Sequence, residues 1–197
     1  MGAGMKHEGR NLNRDHYTVC DVSHSLAVGL VEREHYSKSC GKVAVYRHGL
    51  FDLFGVLCGV AVWLPPTRAA AVKALPESPQ DVLALSRLAI MPHVPRNGAT
   101  FLMGRSIRMI RAAGRWKMLL TFADTWQGHD GTIYRAANWT EAGQSRPTDV
   151  WTDATGKMLG AKRGPKNLSV AEMNAAGFRK IGKFPKIRFT YDLRRNT

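Results

Sequence analysis

The chain has 197 residues, a size that fits one globular domain with a sizeable core, and its 44% hydrophobic and 22% charged residues exclude a disordered or fibrous chain. Charge is the unusual feature, with 29 Lys and Arg against 15 Asp and Glu, a formal +14. Residues 155–197 hold 11 basic and 2 acidic side chains, an excess that points to a polyanionic partner rather than a small neutral one.

The longest apolar run, 50–64, is 15 residues interrupted by Asp52, too short to cross a bilayer. Residues 1–7 lack the apolar stretch of a signal peptide, so a soluble, cytoplasmic protein without a membrane partner is expected. Cys20, Cys40 and Cys58 form no CxxC pair, which argues for three reduced, mostly buried thiols rather than a zinc ribbon or a disulfide framework.

Residues 1–16 read as a tail and 17–197 as one domain. Alternation over 17–22 predicts a strand, and Ser23 then caps a helix to about residue 35. Two strands, 42–47 and 51–63, are expected around a turn at His48-Gly49. A loop carrying Pro65, Pro66, Pro76 and Pro79 leads to a strand over 81–90, closed by Pro92 and Pro95. A helix over 101–113, a buried strand over 117–122 ending at Ala123-Asp124, and short helices over 132–139 and 169–176 follow, the last stopped by Gly177. A final strand spans 187–193. This order predicts a mixed α/β sheet flanked by helices.

Three places can carry chemistry. The turn Arg96, Asn97, Gly98, Ala99, Thr100 lies between a strand and a helix, where free N–H groups and the helix dipole favour an anion, although an ordinary capped helix start reads the same way. Arg105, Arg108, Arg111 and Arg115 then form one stripe along that helix, suited to phosphates or simply to solvent. In the segment 121–139, Asp124 ends a buried strand and can accept a proton. A Gly-rich turn carries His129, and a helix presents Tyr134 as a proton donor. His35 ends the first helix as a base, a metal ligand or a C-terminal cation, and Tyr36, Trp126 and Trp139 offer faces for an extruded base or for core packing.

Taken together, His35-Tyr36-Ser37, Leu85-Ser86-Arg87-Leu88 with Asn97-Gly98-Ala99-Thr100, and above all Gly128-His129-x-Gly131-Thr132-Ile133-Tyr134-x-Ala136-x-Asn138-Trp139 resemble the Mom family of phage DNA-modification proteins. The resemblance spans roughly 19–193 and implies a single-domain fold like that of the GCN5-related N-acetyltransferases (GNAT). It also implies a transferase that modifies adenine N6 of double-stranded DNA with a carbamoylmethyl-type or acyl-type group, protecting that DNA from restriction. On that basis Asp124, Tyr134 and His35 are the catalytic positions. Arg87, Arg96, Asn97, Gly98, Ala99 and Thr100 hold acetyl-CoA or another acyl-CoA, and Tyr36, Trp126, His129 and Asn138 face the substrate. Thr100 stands where serine is expected and Arg135 where glutamine is. Simple acyl transfer does not explain a carbamoylmethyl adduct, which leaves room for a metal ion or a further cofactor; a dimer is compatible with the sequence. Two rival readings are an acyl-CoA-dependent N-acyltransferase of a small amine or a protein, and a non-enzymatic DNA-binding module.

Overall fold

The structure is a computed structural model that describes residues 11–35, 40, 43–156, 158–160, 162–163 and 166–195; Tyr36 lies outside the described residues. In chain order the elements are β1 (Tyr17–Asp21), α1 (His24–Glu34), β2 (Tyr46–Asp52), β3 (Leu57–Leu64), α2 (Arg68–Ala74), β4 (Val82–Ile90), α3 (Gly98–Ala112), β5 (Met118–Asp124), α4 (Thr132–Arg135), β6 (Thr140–Gln144), β7 (Thr148–Thr152), β8 (Met158–Gly160), β9 (Lys162–Arg163), β10 (Lys166–Asn167), α5 (Val170–Ala175), β11 (Arg179–Phe184) and β12 (Lys186–Asp192). Seven strands form a mixed sheet in the order β1-β2-β3-β4-β5-β12-β6. It is antiparallel from β1 to β4 and parallel between β4 and β5. The expected mixed α/β sheet flanked by helices is therefore present.

The chain divides into two compact units, Met1–Thr121 with Thr132–Glu141 and Phe189–Thr197, and Phe122–Gly131 with Ala142–Arg188. In the first, α1 and α3 take opposite faces of the sheet. Val60 and Val62 of β3 pack with Ala27, Leu30 and Val31 of α1. The next side chain, Trp63, points the other way and donates its indole N–H to Ser106 of α3 at 2.6 Å. The second unit contains the three-stranded antiparallel sheet β11-β7-β8.

Helix starts follow local chemistry. The Ser23 side chain accepts the Leu26 N–H at the head of α1, and Ser169 with Glu172 makes a reciprocal capping box on α5. The expected turn at His48-Gly49 is wrong: both residues lie inside β2, and the chain turns at 53–56 instead. There the Asp52 carboxylate accepts the N–H groups of Phe54 and Val56, each at 2.9 Å, and Gly55 takes a left-handed φ of 74°. Gly49 is required by close packing, since a Cβ on it would meet Val22 Cγ1 at 2.5 Å. Helix α2, capped by Thr67, occupies part of the expected proline-rich loop. The thiols also depart from expectation, because only Cys58 is buried, while Cys20 is exposed and Cys40 half-buried.

Candidate active site

Helix α3 begins without a side-chain cap: Asn97 sits in the left-handed region at φ 74°, and its side chain makes no capping bond. The Gly98 N–H turns back to the Pro95 carbonyl, and the first helical bond runs from Phe101 to Asn97, so the amides of Ala99 and Thr100 face outward at the positive end of the helix dipole. Gly98 is needed, because a Cβ there would meet Val94 Cγ1 at 2.4 Å.

A cleft of about 900 Å³ opens along this helix. Its walls include Asn97, Ala99 and Thr100 from the head of α3, Thr132, Ile133 and Asn138 from the α4 segment, and Tyr191. Five arginines, Arg14, Arg96, Arg105, Arg108 and Arg111, line it, and among the described residues no carboxylate does. Arg14 arrives because residues 11–12 lie against the α3 loop, with Leu12 N–H on the Arg96 carbonyl at 3.2 Å. The sequence stripe is thus mostly a cleft wall, with one member turned elsewhere. Arg115 pairs with Asp81 at 2.8 Å and lies over the Trp116 ring. An acid-free row of guanidinium groups beside a helix N-terminus has the charge and donors that suit a ligand with several phosphates.

Tyr134 of α4 packs against Trp139 and Phe189 at ring distances of 5.9 and 5.2 Å. Burial raises its phenol pKa above the usual value, by more than its hydrogen bond to the Thr121 hydroxyl lowers it. The Thr121 hydroxyl donates to the Leu85 carbonyl at 3.1 Å. A phenol in this setting stays protonated at neutral pH and can serve as an acid. Trp139 is 4% exposed, stacked on Trp63 at 6.4 Å and edge-on to Tyr191, so it is core rather than a platform for a base.

In the second unit, Asp124 ends β5 with its carboxylate 7% exposed and ion-paired to Lys186 at 2.8 Å. Sequence reasoning missed Lys186, which it counted only among the basic residues of the C-terminal third. The carboxylate's position at the end of a buried strand agrees with the expectation.

The Mom protein family model matches residues 16–191. The chain belongs to the Mom protein family. No curated protein matches the sequence. Among solved structures, it is similar to the ribosomal-protein-S18-alanine N-acetyltransferase from Escherichia coli, with TM-score 0.54, 12% identity, and 92% of this chain and 96% of that one covered. It is also similar to spermidine N-acetyltransferase from Vibrio cholerae in complex with CoA and spermine, with TM-score 0.56, 9% identity, and 92% and 98% covered. A third is a GNAT family N-acetyltransferase from Escherichia coli in complex with CoA, with TM-score 0.50, 13% identity, and 69% and 73% covered. The fold is therefore that of the GNAT acetyltransferases, and family and fold together point to an acyltransferase-type enzyme.

Within this family the remaining expected residues fall as follows. Arg96, Asn97, Ala99, Thr100 and Asn138 line the cleft, and Asn138 has a left-handed φ of 63°. Arg87 does not line it. Opposite Val62 in the sheet register, Arg87 lies on the α1 face and donates to the Ser86 carbonyl at 2.7 Å, beside a bulge that leaves Ser86 unpaired. His35 ends α1, its N–H on the Val31 carbonyl. His129 is exposed and Trp126 half-buried, both in the second unit. Among the described residues no group of three or more His, Cys, Asp and Glu is placed to hold a metal, and no helix is long and apolar enough to cross a membrane.

Proposed function

We propose that this protein is a DNA-modifying transferase that takes an acyl-CoA in the arginine cleft and attaches the group to adenine N6. The cleft carries the reading: five arginines and the open amides of α3 match coenzyme A, whose pyrophosphate and 3′-monoester bring about four negative charges. The basic C-terminal third supplies the sequence-independent contact with DNA phosphates. The family resemblance supplies the remaining roles. Asp124 accepts the N6–H proton as the amine nitrogen bonds to the thioester carbonyl carbon, and Tyr134 gives its proton to the sulfur as the C–S bond breaks, leaving the N6-acyl base and free CoA thiol. An exocyclic adenine amine is a weak nucleophile inside a stacked duplex, so the base must be extruded to reach these groups.

His35 is proposed as a further base, and Trp126, His129, Asn138 and Tyr36 as contacts to the base and its strand. A carbamoylmethyl product, as the resemblance implies, joins N6 to a methylene carbon rather than a carbonyl. An acetyl adduct and a carbamoylmethyl adduct differ in mass. Nucleosides digested from DNA of cells expressing this chain, weighed beside an Asp124→Ala control, test the proposal. A new adenine-derived mass absent from the control is expected. Unmodified adenine in both, with acetyl-CoA binding retained and DNA ignored, would instead favour an acyltransferase of small amines or proteins.

A further inference from the structure

Lys186 is delivered to Asp124 by the main chain of the second unit. Ser145 N–H donates to the Lys186 carbonyl and Lys186 N–H to Ser145 Oγ, both at 2.9 Å. The Thr125 hydroxyl donates to the Pro185 carbonyl at 2.6 Å, tying the residue after Asp124 to the residue before Lys186. None of these bonds uses the lysine side chain, and they bring its ammonium to 2.8 Å from Asp124 Oδ2. The lysine is 43% exposed, yet its partner is only 7% exposed. A carboxylate that deep is costly as a lone charge, whereas a cation in contact offsets the desolvation and fixes the orientation of its oxygens.

We propose that Lys186 is a positioning residue for Asp124, its ammonium fixing the carboxylate that takes up the proton of the attacking amine. The inference rests on the proposed function for the identity of that amine. The proton lost by the amine goes to Asp124, and the lysine takes no part in the transfer. One of the basic residues of the C-terminal third is thereby assigned to the carboxylate rather than to DNA.

The test compares Lys186→Met and Lys186→Arg with the wild type in DNA-modification kinetics and DNA affinity across salt concentrations, and pairs Lys186→Met with Asp124→Asn in a double-mutant cycle read by urea unfolding. For Lys186→Met, kcat is expected to fall at least about tenfold, with DNA affinity and its salt slope unchanged. Lys186→Arg should restore most of kcat. In urea unfolding, Lys186→Met and Asp124→Asn should be non-additive, a readout that needs no turnover. Normal kcat in Lys186→Met, with weaker DNA binding and a salt slope reduced by about one, would make the lysine a phosphate contact and overturn the proposal. Strict additivity of Lys186→Met and Asp124→Asn in unfolding would overturn it as well. If the wild type leaves no modified nucleoside, the DNA-modification reading fails, and the unfolding cycle alone still decides whether Lys186 is coupled to Asp124.

Discussion

Replacing Ser106 with alanine removes one oxygen from a buried chain of polar groups. Ser106 Oγ accepts the Trp63 indole N–H at 2.6 Å and contacts His48 Nδ1, while His48 Nε2 lies 3.3 Å from Asp21. Ser106 and Trp63 are 0% exposed and His48 1%, so solvent cannot replace the lost partner. Alanine strands an indole N–H and a ring nitrogen, and at about 1–3 kcal/mol for each unmade buried group the expected loss is about 2–6 kcal/mol. That is a large share of a typical total of about 5–15 kcal/mol. At about 2–4 °C per kcal/mol for a chain of this size, it corresponds to roughly 4–24 °C in Tm. Urea unfolding measures it directly, provided the m-value is unchanged. In a Trp63→Phe background the serine has no indole to satisfy, so the cost of Ser106→Ala should shrink by about 1 kcal/mol or more. A loss under about 0.5 kcal/mol, or strict additivity of the two substitutions, would refute the reasoning. Ser106 lies on the inner face of α3, whose outer face carries Arg105 and Arg108, so the same variant should loosen the cleft wall.

His48 gives a pH signature. Burial lowers its pKa from the ordinary 6.5, an effect that Asp21 only partly offsets. Its contribution to stability is therefore complete above pH 6.5 and lost as pH falls through the folded-state value. Unfolding free energy should drop between about pH 7.5 and about pH 5 in the wild type by more than in His48→Gln; equal drops would contradict the assignment. Arg108→Gln should weaken acetyl-CoA binding about 10–100-fold by calorimetry, as expected for one charge-assisted bond to phosphate, whereas Arg115→Gln should leave it within about twofold. Tyr134→Phe should lower kcat about 100-fold or more with acetyl-CoA affinity retained, and an unchanged kcat would remove Tyr134 from the chemistry.

What the sequence made legible was local or strongly patterned. The cap at Ser23 and the stop at Gly177 are read from a few neighbouring residues, and the buried strands 82–90 and 118–124 from runs of apolar side chains. The His48-Gly49 turn was misread because glycine signals two different things. Here it marks a tight approach to Val22, and the true turn is set by the Asp52 carboxylate three residues on. Strands β6 and β11 carry almost no buried side chains, so no alternation announced them. The arginine stripe was visible as helical spacing, but the departure of Arg115 depends on Asp81, 34 positions earlier. Lys186 lies 62 positions from Asp124, and only the fold brings them together.

The central claim is that one chain joins an acyl-CoA donor to adenine in DNA. Purified protein incubated with duplex DNA and isotopically labelled acetyl-CoA, followed by digestion and mass spectrometry of the nucleosides, tests it most directly. The account predicts a labelled adenine nucleoside that requires the acyl-CoA and is lost in Asp124→Ala. DNA with every adenine unmodified, under conditions where the protein binds both acetyl-CoA and DNA, would contradict it.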